Sequence, residues 1–114
     1  MVDAHGGLGE LLVVLYLAIA ILAFVLARRN GVPTWLTGTA HALLAVQIIM
    51  GIILYIEHPH VMPVSHVIVA LLTIPAVGLM VPLRSRLGKP RAVGVSAFIV
   101  ALLALIAVII AKTR

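Results

Sequence analysis

The sequence predicts an all-α membrane protein, a bundle of four antiparallel transmembrane helices with both chain ends on the outer side. Two observations predict this fold. First, 64% of the 114 residues are hydrophobic and 10% are charged, whereas a soluble domain carries about 25% charged residues. Second, the apolar residues form four blocks without Asp, Glu, Lys or Arg, namely Leu11 to Ala27, Trp35 to Ile56, Val61 to Leu83 and Ala92 to Ala111. Each block has the roughly 17–25 residues that a helix needs to cross a bilayer, so residues 1–114 form a single domain.

The connections between these blocks are short, so sequential helices are expected to lie side by side and antiparallel. Pro33 and Pro63 are placed at helix starts, where the missing N–H costs little. The three predicted links are Arg28–Thr34, Glu57–His60 and Arg84–Arg91.

Two features concern the interiors of the third and fourth spans. Pro75 is expected to kink the third span, with Thr73 or a neighbour bonding to the carbonyl that proline leaves free. The fourth span has a stripe of small residues that allows another helix to approach closely, and we interpret it as structural. The stripe consists of Ala97, Ala101, Ala104, Ala107 and Ala111.

The basic residues predict the orientation. Arg28 and Arg29 follow the first span, and four more basic residues lie between the third and fourth spans, so six of the eight Lys and Arg residues share one side. The positive-inside rule assigns that side to the cytoplasm, as in a multi-pass protein of a prokaryotic plasma membrane. The net charge of +5 is thereby explained by topology, and no basic stripe with interleaved aromatics indicates nucleic-acid binding. The chain has no Cys, which excludes disulfides and thiolate ligands.

Five histidines in a chain with three acidic residues are the candidate functional groups. His41 and His66 lie within predicted spans, and His5 lies at the mouth of the first. Ionisable groups inside a membrane are costly and mark functional sites. Imidazole is the commonest metal ligand and a usual axial ligand of haem.

Depth in the membrane decides which histidines can share one iron. At about 1.5 Å per helical residue, His41 lies about 24 Å below the outer surface and His66 roughly 8 Å below it. Two imidazoles on one metal hold their Cα atoms at most roughly 13 Å apart. His5 lies close to the level of His66, so His5 and His66 are the predicted axial ligands and metal site, with His41 as the alternative.

The residues beside these histidines suit a flat macrocycle. Gly9 follows His5 by one helical turn and Ala70 follows His66 by one turn, while Gln47, Gly51 and Tyr55 form one stripe of the second span. Small side chains here leave room for a haem ring. The alternative is that Gly and Ala serve helix packing, as they commonly do in membranes.

The outer loop has a second candidate metal site, the pattern H-P-H-x-M-x-x-x-H formed by His58, His60, Met62 and His66. Imidazole and thioether together suit copper. An interfacial loop with polar histidines is the plainer interpretation. His58 or His60 could instead hydrogen-bond haem propionates. A hydrogen bond to a neighbouring helix is the expected role of His41.

Residues 41–83 resemble part of the haem A synthase family. The resemblance rests on Gln47-Ile-Ile-Met-Gly51, on the outer-loop sequence HPHVMP, and on SHVIVALL with His66. It implies that His66 and, in the preceding helix, His5 ligate a haem on the outer side, and that any enzymatic activity is that of a haem A synthase-like oxidoreductase. Those proteins usually have two such bundles, whereas this chain has one.

We therefore expect a membrane-embedded b-type haem protein that transfers electrons or binds and modifies haem, in a homo-oligomer or beside a respiratory-chain partner. One alternative is a small proton-coupled transporter with Glu10 as its proton-binding carboxylate. The other is a cofactor-free accessory subunit of a respiratory complex.

Overall fold

The computed structural model describes residues 2–29, 31–60 and 62–113, and this part of the chain contains helices and no β-strand. The bundle measures 47 × 22 × 21 Å. Its helices in chain order are α1 (Val2–Val25), α2 (Thr34–Glu57), α3 (Val64–Gly78), α4 (Met80–Leu87) and α5 (Lys89–Thr113).

The helix starts at prolines agree with the sequence, and one predicted link does not. Helices α2 and α3 begin immediately after Pro33 and Pro63. The segment Arg84–Arg91, predicted as a loop, is almost entirely helical, because only Gly88 separates α4 from α5. Gly88 has a φ of +84°, a conformation that glycine adopts readily and other residues rarely do. A single glycine therefore makes the turn that the sequence assigned to eight residues.

The third predicted span is not one helix. Val61, its predicted first residue, lies outside the described residues, and the remainder divides into α3 and α4, whose axes are bent by 41°. The bend follows Pro75 by four residues rather than lying at it. The Leu79 N–H donates to the carbonyl oxygens of both Pro75 and Ala76, at 3.0 and 3.3 Å, which tightens the turn between the two helices.

Thr73 behaves differently from the expectation for the proline kink. Because Pro75 has no N–H, the carbonyl of Leu71 loses its helical donor. The Thr73 hydroxyl donates instead to the carbonyl of Ala70, at 2.6 Å. Thr73 therefore bonds within its own turn and does not replace the bond that proline removes.

Membrane-length apolar helices dominate the bundle. Helices α1, α2 and α5 are each long and apolar enough to cross a membrane, and α3 with α4 would make a fourth span if the bent pair counts as one. Large apolar side chains cover the outside of the bundle, including Val25, Trp35 and Ile56, which are 70–73% exposed. Apolar surfaces of this extent are typical of contact with lipid rather than water.

Helix α5 is the centre of the packing. It packs most extensively on α1 and also contacts α3 and α4, whereas α2 packs on α1 and makes few contacts with α3. Glu10 near the start of α1 pairs with Lys112 at the end of α5. Ser96 near the start of α5 bonds to Ala76 near the end of α3. Helix α5 therefore runs antiparallel to both α1 and α3.

Small residues allow this close packing, because lipid supplies no hydrophobic force between helices. Of the predicted stripe on α5, Ala97, Ala101 and Ala107 are buried, and Ala104 and Ala111 are partly buried. Gly94 lies against the Phe24 ring of α1. A Cβ at Gly94 would lie 2.8 Å from a ring carbon of Phe24.

Candidate functional site

A cavity of about 400 Å³ lies inside the bundle, at the end where α1 and α3 begin and α2 and α5 end. All four of these helices contribute to its walls, and most of the lining side chains are apolar. The cavity occupies the region in which α2 and α3 make few contacts with each other. An elongated apolar group could therefore enter between these two helices.

The structure brings the predicted histidines and pocket residues together. His5 and His66 both line the cavity, and so do the residues predicted to surround a macrocycle, which are Gly9, Gln47, Gly51, Tyr55 and Ala70. His58 and Met62 of the outer loop line it as well. The exposed side chain of His60 is not among the described residues that line the cavity.

The imidazole of His5 on α1 lies close to the imidazole of His66 on α3. Their ring centroids are 6.5 Å apart, and their planes are inclined by 76°. With metal–nitrogen bonds of about 2.0–2.1 Å and a ring centre about 1.1 Å from each nitrogen, two imidazoles on opposite sides of one metal would have centroids about 6.3 Å apart. The observed separation would allow one metal between the rings, and edge-to-face aromatic packing of two imidazoles covers the same distance.

Hydrogen bonding defines the chemistry of His66. Its Nδ1 lies 2.8 Å from the backbone carbonyl oxygen of Ala107 on α5. A carbonyl oxygen can only accept, so Nδ1 carries the proton, and the neutral ring has its lone pair on Nε2. Metal-binding histidines commonly donate their second ring N–H to a backbone carbonyl in this way. The bond fixes the ring and leaves the Nε2 lone pair to accept a hydrogen bond or a metal.

His5 is held from α2. The Gln47 side-chain amide donates to the backbone carbonyl oxygen of His5 at 2.8 Å. The His5 ring lies against Gly51, where a Cβ would come within 3.0 Å of the ring carbon Cε1. A methyl group at position 51 would displace the imidazole by a few tenths of an ångström, so the glycine leaves room for the His5 ring.

Two buried polar atoms of residues that line the cavity, Nδ1 of His5 and Oε1 of Gln47, have no hydrogen-bond partner among the described residues. A protonated Nδ1 and an amide oxygen are complementary, and the two residues are already joined by the bond from Gln47 to the His5 backbone. Gly9 makes that approach possible, since a Cβ there would lie 3.0 Å from the amide nitrogen of Gln47.

The contribution of α5 is the part of the cavity that sequence reasoning missed. Ala104, Ala107 and Val108 form a wall of the cavity, whereas the alanine stripe was interpreted only as a packing surface. The spacing of Ala104 and Ala107, which places both on one face of α5, was the sequence signal that could have indicated this wall. Nothing in the sequence indicated that the Ala107 carbonyl would accept a bond from His66.

His41 belongs to a different part of the bundle. Its Nδ1 lies 2.7 Å from the buried hydroxyl of Tyr16 on α1, an interhelical bond of the kind expected for it. Tyr16 is eleven residues beyond His5 on α1, or about 16 Å along the helix. His41 does not line the cavity of His5 and His66; it lines a second, smaller cavity.

The remaining candidates are the outer-loop metal pattern and Glu10. In the described part of the chain, no three His, Asp or Glu side chains are grouped so as to hold a metal ion, so His58, His60 and His66 do not converge on one point. Glu10 is exposed, and its carboxylate lies 2.5 Å from the ammonium nitrogen of Lys112. Glu10 is not among the residues that line the cavity.

Comparison with known proteins adds no relative. No known protein family, no curated protein and no solved structure matches this chain. The similarity of residues 41–83 to haem A synthases stays a prediction from short motifs. The functional conclusion therefore depends on the geometry of the cavity.

Proposed function

We propose that this protein is a membrane-embedded b-type haem protein in which His5 and His66 are the axial ligands and whose role is one-electron transfer. The observation that supports it most directly is the pair of imidazoles 6.5 Å apart in an apolar cavity. The bond from His66 Nδ1 to the Ala107 carbonyl adds the tautomer that metal binding through Nε2 requires.

The surroundings of the two histidines fit a flat, mostly apolar group. Gly9 leaves room for the Gln47 amide, and Gly51 leaves room for the His5 ring. The opening between α2 and α3 is bordered by apolar residues such as Ile52 and Leu71, which also line the cavity. His58 lies at the outer end of the cavity and is exposed, a position suited to hydrogen-bonding a propionate.

The protein's own residues would supply ligation, orientation and exclusion of water. When bound, the haem iron supplies a reversible one-electron couple, whose potential depends on axial ligands and burial. Holding the haem iron with both His5 and His66 would leave no open coordination position for oxygen. This arrangement favours electron transfer over the oxidation of haem or another substrate, which the likeness to haem A synthases implied. Electron transfer requires a donor and an acceptor, so we also propose a second copy or a respiratory-chain protein as partner.

The proposed topology has four spans, with α3 and α4 together forming the third. The basic residues Arg28 and Arg29 follow α1, and the other basic cluster lies on α4 and at the start of α5. Both groups belong to the end of the bundle opposite the cavity. The positive-inside rule assigns that end to the cytoplasm of a prokaryotic cell. The chain ends and the haem cavity then lie on the outer side.

The test is a reduced-minus-oxidised absorption spectrum of the purified protein after it has been supplied with haem. The native protein is expected to give the sharp bands of six-coordinate, low-spin b-type haem. His5→Ala and His66→Ala are each expected to lose this spectrum, because one axial ligand is missing. His60→Ala is the matched control, since this exposed histidine lies outside the cavity, and its spectrum should be unchanged.

Two results would contradict the proposal. One is a native protein that takes up no haem although it is folded by circular dichroism. The other is a low-spin spectrum that persists in both His5→Ala and His66→Ala, since the ligands would then be other residues. A cofactor-free accessory subunit would give the first result.

A further inference from the structure

Six exposed basic side chains gather at the end of the bundle opposite the cavity of His5 and His66. They belong to three segments, which are the link after α1, the last turn of α4 and the start of α5. The sequence assigned them to one side of the membrane, and the structure decides whether they also form one surface. This basic end consists of Arg28, Arg29, Arg84, Arg86, Lys89 and Arg91.

Helix packing makes the three segments neighbours. Helices α1 and α5 run antiparallel and pack extensively on each other, so the link after α1 lies beside the start of α5. A Cβ at Gly31 of this link would lie 3.0 Å from the Cβ of Pro90. Pro90 stands between Lys89 and Arg91, and Gly88 alone separates this turn from α4. The basic end is therefore one surface built from segments that are distant in the sequence.

No carboxylate balances these charges in the part of the chain that the structure describes. The acidic residues Asp3, Glu10 and Glu57 lie at the other end of the bundle, where α1 begins and α2 ends. The salt bridge formed there joins Glu10 to Lys112, and it includes none of the six cations. Like charges on one surface repel one another, so a bound anion would stabilise the basic end.

The start of α5 adds a further positive charge. Lys89 and Arg91 lie in the first turn of this helix, which has no acidic residue. The N-terminal end of a helix carries a partial positive charge, so basic side chains there are unfavourable. An anion would offset both the side-chain charges and the helix dipole.

Exposed apolar side chains border the cations. Val25 is 70% exposed shortly before Arg28, and on α4 Val81 is 67% and Leu87 40% exposed. A phospholipid matches both kinds of surface, because its phosphate attracts the cations while its acyl chains cover the apolar side chains. An acidic protein segment would match the charges alone.

We propose that the basic end binds the headgroup of a phospholipid with two phosphate diesters, of the cardiolipin class. Two phosphates match six cations from separate segments better than one, and basic pockets between transmembrane helices on the cytoplasmic side bind such headgroups. The acyl chains lie along the apolar side chains beside the basic end. This inference rests on the proposed membrane topology, and it is independent of haem binding because it uses no residue of the cavity.

The experiment measures quenching of Trp35 fluorescence by cardiolipin with brominated acyl chains, in phosphatidylcholine vesicles that contain the full chain. Trp35 is the sole tryptophan of the sequence. It is 71% exposed and lies in the first turn of α2, at the same end of the bundle as the cations. Unbrominated cardiolipin gives the reference intensity. The native protein is expected to be quenched at a mole fraction of cardiolipin at which brominated phosphatidylcholine quenches little.

Paired substitutions test two of the three segments. Arg28→Gln with Arg29→Gln, and Lys89→Gln with Arg91→Gln, should each lower the affinity for cardiolipin at least about fivefold, since one basic residue near a membrane surface contributes about that factor. Each pair leaves four of the six cations in place, so the orientation should be retained. Arg28→Lys with Arg29→Lys keeps the charge and should bind as the native protein does.

Two single variants are the controls. Lys112→Gln removes a cation at the opposite end of the bundle and should leave the affinity unchanged. His5→Ala should also bind cardiolipin normally, which keeps the result separate from the haem proposal. A protein that does not insert into the vesicles would overturn both the proposed topology and this site.

Three results would overturn the lipid site alone. Equal quenching by brominated cardiolipin and brominated phosphatidylglycerol at the same phosphate content would show general attraction to an anionic surface. An unchanged affinity in Lys89→Gln with Arg91→Gln would show that α5 takes no part. Displacement of cardiolipin by soluble polyglutamate would assign the basic end to an acidic protein segment instead.

Discussion

The Nδ1 atom of His66 donates to the backbone carbonyl of Ala107 across the α3–α5 interface, at 2.8 Å. This bond ties the ring that we propose as a haem ligand to the helix that forms the centre of the packing. The bond is partly buried, and the ring cannot turn without losing it. The position of His66 is therefore a consequence of how α5 packs.

Gly51→Ala is expected to weaken haem binding without destabilising the helix. The new methyl group would lie 3.0 Å from Cε1 of His5, so the imidazole must move by a few tenths of an ångström. Alanine is the better helix former by about 1 kcal/mol, so folding should not suffer. Haem titration followed by absorbance measures the change in Kd.

Gly38→Ala is the matched control on the same helix, because a Cβ at Gly38 meets nothing within 4 Å. Its haem affinity should equal that of the native protein. Equal affinities for Gly51→Ala and Gly38→Ala would show that the His5 ring is not held against Gly51.

Gln47→Leu tests the support of His5 from α2. The substitution removes the bond to the His5 backbone carbonyl, which lies in the wall of the cavity. Loss of groups that orient a metal ligand commonly costs about tenfold or more in affinity, so we expect a haem Kd at least about tenfold higher. Gln47→Glu cannot donate through its carboxylate and should also bind haem weakly. A haem Kd equal to that of the native protein in Gln47→Leu would contradict this role.

Ser96→Ala is expected to lower the stability of the bundle at the bend between α3 and α4. The Ser96 hydroxyl is buried and donates to the Ala76 carbonyl at 2.7 Å. Interhelical bonds in membrane proteins contribute about 0.6 kcal/mol on average, so a small decrease in Tm is expected from thermal unfolding in detergent. Ser85→Ala removes an exposed bond to the Pro82 carbonyl within α4 and should leave Tm unchanged. Equal Tm values for the two variants would show that the Ser96 bond does not stabilise the bundle.

Glu10→Gln should change little. The pair with Lys112 is formed by side chains that are 55% and 65% exposed, and exposed pairs contribute about 0–1 kcal/mol. We expect a Tm close to the native value and an unaltered haem spectrum. Substrate-driven proton release that disappears in Glu10→Gln, measured in proteoliposomes, would instead favour a proton-coupled transporter.

The pattern of apolar blocks was sufficient to predict an all-α protein with helices of membrane length. A helix satisfies its own backbone in lipid, so length and composition are enough to recognise it. The break at Leu79 was not predictable in the same way. Pro75 indicated a kink, but the place where the helix yields depends on the Leu79 and Ser96 bonds to carbonyls on α3, which only packing creates.

For the candidate cavity too, one part could be predicted from the sequence and another could not. Helical rise alone placed His5 and His66 at one level and His41 well below them, because depth along a helix depends only on residue number. Sequence spacing also indicated Gly9 and Gly51 as residues with room beside them. The spacing contained no information on which helix would pack against each of these positions.

By itself the sequence determined that the chain is helical, that it has apolar helices of membrane length, which end carries most of the basic residues, and the level of each histidine along its helix. These properties follow from local composition and from a fixed rise per residue. The tertiary structure alone decided the rotation of each helix about its axis and its neighbours. That rotation directed His66 to the Ala107 carbonyl and His41 to Tyr16, since contacts between distant segments depend on how all the helices pack together.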